Sequence, residues 1–201
     1  MLRCPINKLL VSIDKKYQDK QGNLFIDTTF QPEEYATLKG TVMSIPDRVD
    51  NEHYKGEIEQ LAKIGDEVWF SYGVVYDYAI LREGETPVYK NLLAIDGEEY
   101  WQVRYEEVFC ILRDGEILMP TQNVLLVPVI KQGEQKTAGG LISLQKTVRE
   151  EDKAMIVALP KTNISCKVGD IVPLELEFTQ QYIMFDKPHY IFSTRRLIAT
   201  Y

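Results

Sequence analysis

Short apolar runs, rich in β-branched and aromatic residues, recur along the whole chain and are separated by Gly, Asn, Asp and Pro. This pattern is typical of β-strands bounded by turns. Only Gly56–Gly65 (GEIEQLAKIG) has apolar residues at helical spacing, which predicts one short helix. Many short strands at regular spacing favour a barrel or a sandwich, so we expect an all-β protein. The runs are KLLVSI, GTVMSI, EVWFSYGVVYDYAIL, EYWQVRYEEVFCIL, NVLLVPVI, AMIVALP, DIVPLELEF and HYIFSTRRLIAT.

Five blocks of sequence occur twice, in the same order. The copies are separated by about 116, 117, 114, 104 and 89 residues, so the first copy carries insertions on both sides of its fourth block. A single six-residue echo arises by chance, but five in order indicate an internal repeat. We therefore predict two copies of one β-domain, at residues 1–115 (with insertions) and 116–201. The paired blocks are KLLVSI with VLLVPV, Gln21–Ile26 with Ala138–Ser143, Lys39–Pro46 with Lys153–Pro160, Lys63–Val68 with Lys167–Val172, and Val103–Ile111 with Phe192–Thr200.

Length, charge and cysteine content narrow the class of protein. The chain has 201 residues and a net charge of -7, without a cluster of Lys and Arg, so we expect no nucleic-acid partner. No stretch of about 20 apolar residues is present, and the N-terminal apolar run is too short for a signal peptide. The three cysteines form no CxxC pair. We expect free thiols, a cytoplasmic protein and no membrane partner.

Few residues point to catalysis. The two histidines, His53 and His189, have no Cys or Asp neighbour at metal-ligand spacing. Adjacent acidic residues on a strand point to opposite faces, so the acidic pairs predict solvated charge. No GxSxG, P-loop or HExxH motif occurs. We expect no enzyme activity, no metal and no cofactor.

One polar, glycine-containing stretch carries an unexpected aliphatic group. Residues 135–147 read QKTAGGLISLQKT, with Leu141, Ile142 and Leu144 between polar flanks. Over Gln132–Glu151 the chain has too few large apolar residues to offset the entropy of ordering, which favours a mobile loop. Two interpretations remain open: the aliphatic residues grip a groove on another protein, or they pack on their own domain as part of a β-hairpin.

Taken together, the blocks resemble the small co-chaperonins of the GroES family (chaperonin 10), as two tandem copies. The resemblance is carried by KTAGGLIS and CKVGDIV in the second half. In the first half it is carried by KGTVMSI, KIGDEV and IDGEEYWQVRYEEVFCIL. It implies two tandem GroES-like small β-barrels. It also implies a mobile loop in which a small-Gly-Gly element precedes an aliphatic tripeptide that docks in a chaperonin groove.

The resemblance assigns docking residues in both halves. In the second half they are Gly139, Gly140, Leu141, Ile142 and Ser143, with Leu144 standing in for a third aliphatic residue where Ser143 departs from the pattern. In the first half they are Gly22, Leu24, Phe25 and Ile26, with Asn23 in place of the second glycine. The segment Asp77–Asp96 has no full counterpart in the family.

The function implied is that of a lid. The expected partner is a large GroEL-like chaperonin ring in the presence of adenine nucleotide, and the expected assembly is a homo-oligomeric ring. Two barrels per chain leave the number of chains in that ring open. The alternative is a structural or adaptor β-protein, for example a virus-encoded assembly part, that keeps the barrel and not the docking.

Overall fold

The protein is built mainly from two antiparallel β-sheets that follow one another along the chain. Its computed structural model describes residues 4–13, 20–21, 24–25, 38–49, 61–76, 78–79, 88–136, 142–161, 165–174 and 181–194. The expectation of an all-β protein is confirmed: the described residues hold one α-helix, α1 at Gly73–Tyr76, which is four residues long.

The first sheet has seven strands in the order β11-β10-β5-β4-β1-β9-β8. Its last hairpin turns at Asp114–Gly115, so the strand after the predicted boundary at residue 115 still belongs to this sheet. The strands are β1 Lys8–Ser12, β4 Leu38–Ser44, β5 Glu67–Phe70, β8 Leu92–Ile95, β9 Glu98–Arg104, β10 Val108–Arg113 and β11 Glu116–Leu118. Two small two-stranded sheets accompany them, β2 Lys20–Gln21 with β3 Leu24–Phe25 and β6 Tyr78–Ala79 with β7 Val88–Tyr89.

The second sheet has five strands in the order β14-β13-β12-β16-β15. Two of its strands are much longer than any in the first sheet, with 14 residues in β12 and 17 in β13. The strands are β12 Asn123–Lys136, β13 Ile142–Ala158, β14 Ile171–Pro173, β15 Gln181–Met184 and β16 Lys187–Ser193.

The two halves of the chain share one pattern of strand pairing. The order β5-β4-β1-β9-β8 in the first sheet matches β14-β13-β12-β16-β15 in the second. The match extends to single residue pairs: Leu9 faces Val103, as Val124 faces Phe192. Both sheets also carry a register shift at the same place, between Leu10 and Val11 in β1 and between Leu125 and Leu126 in β12.

The pairing corrects the alignment of the first block by one residue. Matching KLLVSI to VLLVPV by sequence placed Val11 on Val127, whereas the register places Val11 on Leu126, a shift of 115 residues. The sequence favours the shift of 116, because it matches Leu9, Leu10 and Val11 to identical residues, whereas the shift of 115 matches only Leu10. The pairing distinguishes them, because a slip of one residue moves every side chain to the other face of the sheet.

A second pair of equivalent hairpins was not predicted. Strands β8 and β9 join through Asp96–Gly97, and β15 and β16 join through Phe185–Asp186. All four turn residues have positive φ, which is the geometry of tight two-residue hairpins. Part of the segment Asp77–Asp96 therefore does have a counterpart in the second half, even though the residue types differ.

The Lys-Ile-Gly-Asp block of the first half forms a tight turn. The Lys63 N–H donates to Asp66 Oδ2 at 2.7 Å, and the Asp66 N–H donates to the Lys63 carbonyl at 3.1 Å. Gly65 has a φ of 92° and donates its N–H to the Val42 carbonyl at 2.8 Å. The glycine supplies the left-handed backbone and the aspartate holds the turn.

The second half repeats this turn bond for bond. The Lys167 N–H donates to Asp170 Oδ2 at 2.8 Å, and the Asp170 N–H donates to the Lys167 carbonyl at 3.1 Å. Gly169 has a φ of 96° and donates its N–H to the Ile156 carbonyl at 2.8 Å. The short motif thus fixes how each copy enters its next strand.

Other predictions differ from the structure. The run EVWFSYGVVYDYAIL was expected to be one strand, but β5 ends at Phe70 and α1 begins at Gly73, because the Gly73 N–H bonds to the Ser71 hydroxyl in a local turn. The predicted helix Gly56–Gly65 lies outside the described residues up to residue 60, and Leu61–Lys63 is not helical. Neither sheet closes into a barrel through its described strands.

Each sheet covers its own apolar core, and a third cluster joins the two sheets. The first core is the larger and includes Trp101, Tyr105 and Phe70, whereas the second is built around Ile156 and Tyr190. The third cluster is centred on Cys110, Met119, Leu125, Ala158 and Met184. No helix in the described part of the chain is long and apolar enough to cross a membrane.

Candidate docking ribbon

Strands β12 and β13 extend together well beyond the rest of the second sheet. They pair from Leu125 opposite Ala158 out to Lys136 opposite Ile142. Their neighbours cover only the base: β16 reaches Leu126 of β12, and β14 pairs with Lys153–Met155 of β13. Among the described strands, the outer parts of β12 and β13 therefore pair only with each other. We call this two-stranded segment, 127–136 with 142–152, the ribbon.

The ribbon is long enough to act at a distance from the sheet. About ten residues of β12 lie beyond the last residue paired with β16, which at about 3.3 Å per residue gives a reach of up to roughly 30 Å. Two-stranded hairpins without a further strand or helix are only marginally stable in water. The ribbon therefore gains little stability from the rest of the second sheet.

The register of the ribbon is irregular. Shifts occur between Pro128 and Val129 and between Gly133 and Gln135. Pro128 has no N–H to donate, so a bulge beside it avoids a lost ladder hydrogen bond. Bulges bend a strand and increase its twist, so each shift changes the direction in which the outer ribbon points.

The predicted docking residues of the second half fall at the end of the ribbon. Gly139, Gly140 and Leu141 lie outside the described residues, within 137–141. Ile142, Ser143 and Leu144 are the first three residues of β13, and Ser143 pairs with Gln135. Where a loop was predicted over Gln132–Glu151, the described backbone is a paired hairpin, because the alternation of β13 continues into SLQKTV. The docking role of these residues stays a prediction.

The first half has a much shorter counterpart. Leu24 and Phe25 form β3 and pair with Gln21 and Lys20 of β2. Gly22 and Ile26 lie outside the described residues. In both halves, then, a predicted docking residue begins the second strand of a hairpin: Leu24 in the first half and Ile142 in the second.

One ion pair outside the ribbon was missed by the sequence analysis. Arg113 donates to both oxygens of Asp66, at 3.0 Å from Nε and 2.6 Å from Nη2, and Nη2 also donates to the Leu61 carbonyl at 2.9 Å. Burial pushes the pKa of the Asp66 carboxyl upward. The hydrogen bonds from Arg113 and the Lys63 N–H outweigh burial, so the pKa lies below its ordinary value. The only sequence signal was an arginine just before an Asp-Gly turn.

This ion pair lies beside a shallow cleft of about 440 Å³. The cleft is lined by the Lys-Ile-Gly-Asp turn and by the β10–β11 turn. Because the carboxylate and the guanidinium already satisfy each other, the pair serves to tie the turn to β10 rather than to present a charge to a ligand.

Three further titratable groups of the described residues, His189, Cys110 and Cys4, are buried or half-buried. His189 is 5% exposed and its Nδ1 lies 2.9 Å from the Lys187 carbonyl. Burial raises the pKa of the Cys110 thiol to about 12 and that of the Cys4 thiol to about 11, so neither is a reactive thiolate. In the part of the chain that the structure describes, no three His, Cys, Asp or Glu side chains come together as metal ligands.

Comparisons with known proteins do not assign the chain to a family. No protein-family model matches the sequence, and no curated protein matches it.

Proposed function

We propose that this protein is a co-chaperonin of the GroES kind that acts in the cytoplasm. In this proposal its two repeats are tandem GroES-like barrels, and copies of the chain assemble into a ring. The ring caps a large ATP-dependent chaperonin by docking the end of each ribbon, and so assists protein folding.

The observation that carries the proposal is the reach of the ribbon past both neighbouring strands. A hairpin that served only the second sheet would end where β14 and β16 end. Instead, β12 and β13 continue to Lys136 and Ile142, at the border of the Ala-Gly-Gly-Leu-Ile-Ser block that resembles a docking loop.

The energetics suit reversible docking. Burying three aliphatic side chains contributes on the order of 5 to 8 kcal/mol. Ordering about eight free backbone residues costs a similar amount, about 8 kcal/mol. A hairpin that is already paired near its base lowers that cost, since fewer residues are ordered on binding. Each ribbon then binds weakly, and several ribbons on one assembly bind together through effective concentration.

A second candidate function is favoured by the strand pairing of Ile142 and Ser143. A structural or adaptor β-protein would use the hairpin as part of its own framework and would pack Leu141, Ile142 and Leu144 on itself. The two candidate functions differ in how much those side chains contribute to the stability of the protein. One variant that removes them can therefore distinguish the two functions.

The test is the double variant Leu141→Ser with Ile142→Ser, assayed for binding to a bacterial chaperonin with ATP by size-exclusion chromatography. We expect binding to fall at least tenfold, because about 3 kcal/mol or more of apolar burial is removed, while the melting temperature stays unchanged. Ile130→Ser is the matched control, since Ile130 is 60% exposed at the base of the ribbon. Unchanged chaperonin binding with a lowered melting temperature would favour the structural protein instead.

A further inference from the structure

The third apolar cluster is a contact between the two repeats, and we call it the joint. Trp69 of β5 is centred 5.1 Å from Phe185, and Phe109 of β10 is centred 4.5 Å from Tyr182. The first ring of each pair belongs to the first sheet, and the second belongs to the β15–β16 hairpin. Strand β13, which continues into the ribbon, packs in the same cluster through Val157. The joint therefore holds both the hairpin and a strand of the ribbon against the first repeat.

One ionisable side chain is buried beneath this contact. The ring of His189 is centred 5.7 Å from that of Phe185, the residue that packs on Trp69. Its Nδ1 lies 2.9 Å from the Lys187 carbonyl oxygen, which can only accept a hydrogen bond. Nδ1 therefore carries the hydrogen of the neutral ring, and Nε2 is the nitrogen that takes a proton in acid. A side chain that becomes charged in mild acid thus supports the joint.

The docked joint resists protonation of this ring. Burial lowers the pKa of His189 most. The hydrogen bond to the Lys187 carbonyl raises the pKa, the charge of Lys187 lowers it, and a hydrogen bond to the Met184 backbone raises it, so that it lies below its ordinary value. A His189 released to water has an ordinary pKa of about 6.5 and takes the proton more readily. By linkage, the docked arrangement is favoured above about pH 6.5 and is lost as pH falls through the lowered pKa.

The groups that face the joint supply no negative charge in acid. Tyr182 lies opposite His189 on β15, and burial raises the pKa of its phenol, as it raises that of the Cys110 thiol to about 12, so both are neutral. Asp186, in the hairpin turn, is exposed to solvent, and the charge that acts on the His189 pKa is that of Lys187. The other side chains of the joint are apolar: Trp69, Phe109, Ile117, Met119, Leu125, Val157, Ala158, Met184, Phe185 and Ile191.

The equivalent positions of the first repeat carry the opposite charge. Tyr100 corresponds to His189, and Glu98 corresponds to Lys187. The Tyr100 hydroxyl donates to Glu98 Oε2 at 2.7 Å. A carboxylate at the position of Lys187 would stabilise a protonated histidine, whereas a lysine repels it. The second repeat, which forms this half of the joint, thus combines a titratable ring with a neighbour that opposes its charge.

The joint also contains a polar atom that gains from opening. Trp69 Nε1 is buried, and among the described residues no acceptor lies within hydrogen-bond distance of it. A buried donor without a partner lowers stability, and contact with water would satisfy it. Opening the joint therefore loses apolar contacts but gains a hydrogen bond at Trp69, which makes the contact easier to release than an apolar cluster of the same size.

We propose that the joint is an acid-sensitive switch, in which protonation of His189 releases the β15–β16 hairpin from the first sheet while both sheets stay folded. Because β13 packs in the same cluster, release also loosens the strand that leads into the ribbon from the first repeat. The effect of this release on chaperonin docking rests on the proposed function, but the switch itself does not.

The test is tryptophan emission of the full chain between pH 7.5 and pH 5, recorded with far-UV circular dichroism. The chain has two tryptophans, Trp69 in the joint and Trp101 in the first core. We expect the emission maximum to move to longer wavelength below about pH 6.5, as water reaches Trp69, while the dichroism stays constant. Trp69→Phe keeps an aromatic partner for Phe185 and should lose the shift, which would assign it to the joint.

Two variants separate the histidine from other acid effects. His189→Asn keeps an N–H donor for the Lys187 carbonyl and cannot be protonated, so the shift should disappear. Lys187→Glu supplies the carboxylate of the first repeat, so it should keep Trp69 buried down to pH 5. Lys167→Glu is the control, because it makes the same change of charge at an exposed residue in the turn before β14, and it should behave like the wild type.

Constant emission of the wild type down to pH 5, or an equal shift in His189→Asn, would overturn the inference. A shift accompanied by loss of the dichroism would also overturn it, because the protein would then unfold in acid without a separate release of the joint. None of these measurements involves a chaperonin. A protein that shows the switch and does not bind a chaperonin contradicts only the proposed function, and one that binds without the switch contradicts only this inference.

Discussion

The two halves of this chain share one five-stranded unit and differ in what has been added to it. Strand order, register and both kinds of turn match residue for residue between the halves. Among the described residues, only the first half carries two further strands at one edge, β10 and β11, and the Asp66–Arg113 ion pair links β10 to the turn before β5. The second half lengthens its central hairpin into the ribbon instead.

This comparison separates what the fold requires from what it tolerates. The features that both halves share concern the backbone. They are a glycine at positive φ, an aspartate that accepts a hydrogen bond within its own turn, and a register shift at the same position in the first strand of each unit. The halves differ in the strands and hairpin extensions added to the five-stranded unit and in the residues at its edges. The divergent parts are therefore where each half carries its individual role.

The largest predicted difference in stability between the halves concerns one methyl group, the side chain of an alanine. A Cβ on Gly40 would lie 2.3 Å from Val11 Cγ1 and 2.7 Å from the Ser12 carbonyl oxygen, whereas the equivalent position in the second half is the buried Ala154. We expect Gly40→Ala to lower the free energy of unfolding by about 3 kcal/mol through overpacking. Urea denaturation measures this.

The reverse substitution at the equivalent position of the second half provides the comparison. Ala154→Gly removes a methyl that the second half accommodates, so we expect a cost of about 1 kcal/mol from the small cavity and the freer backbone. If Gly40→Ala costs no more stability than Ala154→Gly, then β1 does not lie as close to Gly40 as the structure shows. That result would contradict the structure.

The next largest difference concerns the two turn aspartates. Asp66→Asn keeps an acceptor for the turn but leaves Arg113, 24% exposed, without its charge partner, so we expect a cost of about 2 kcal/mol. Asp170→Asn is the matched control, because Asp170 accepts the same bond from the Lys167 N–H and meets no arginine among the described residues. We expect that control to cost only a few tenths of a kcal/mol.

The Asp66–Arg113 ion pair also makes the stability of the protein depend on pH. The folded state holds the pKa of Asp66 below its ordinary value. The stabilisation is therefore fully present above the unfolded value of about 3.9 and is lost as pH falls through the lower, folded pKa. The stability gap between wild type and Asp66→Asn should narrow in acid. A gap that stays constant down to pH 2 would contradict the ion pair.

The smallest predicted difference is at His189, which corresponds to Tyr100 of the first half. Burial lowers the pKa of His189, the hydrogen bond to the Lys187 carbonyl opposes this, and the nearby Lys187 charge lowers the pKa further. The unfolded chain then binds a proton more readily, so stability is present above about pH 6.5 and declines as pH falls through the lowered pKa. The packing of Phe185, 5.7 Å away, should weaken with it.

His189→Tyr introduces the residue of the first half and removes the titration. We expect the melting temperature of the wild type to decline between pH 7 and pH 5, and we expect the variant to lose that decline. Equal slopes for the two proteins in that range would mean that His189 is not buried as the structure places it.

Much of the fold could be predicted from sequence because it depends on local signals. Gly65 and Gly169 precede aspartates that hold their own turns, and such motifs fold in the same way wherever they occur. The one-residue error at Leu10 and Leu125 arose because Leu-Leu-Val occurs in both copies and gives more identities in the wrong register. Only pairing with the neighbouring strands shows the right one.

The candidate site was less predictable because it depends on contacts between distant segments. Nothing near Arg113 in the sequence indicates that it reaches Asp66, 47 residues earlier. The strand structure at Ile142 was likewise hidden, since glycines and polar residues around it favour a loop by local preference, whereas pairing with Gln135 and Lys136 extends the hairpin.

The most direct test of the docking account is limited proteolysis of the protein alone and of the protein with a bacterial chaperonin and ATP, with the cut sites read by mass. The account predicts cleavage within Gln132–Glu151 in the free protein, because an unsupported ribbon opens readily, and loss of that cleavage with the chaperonin. Resistance of this segment in the free protein, or equal cleavage with and without chaperonin, would contradict the account.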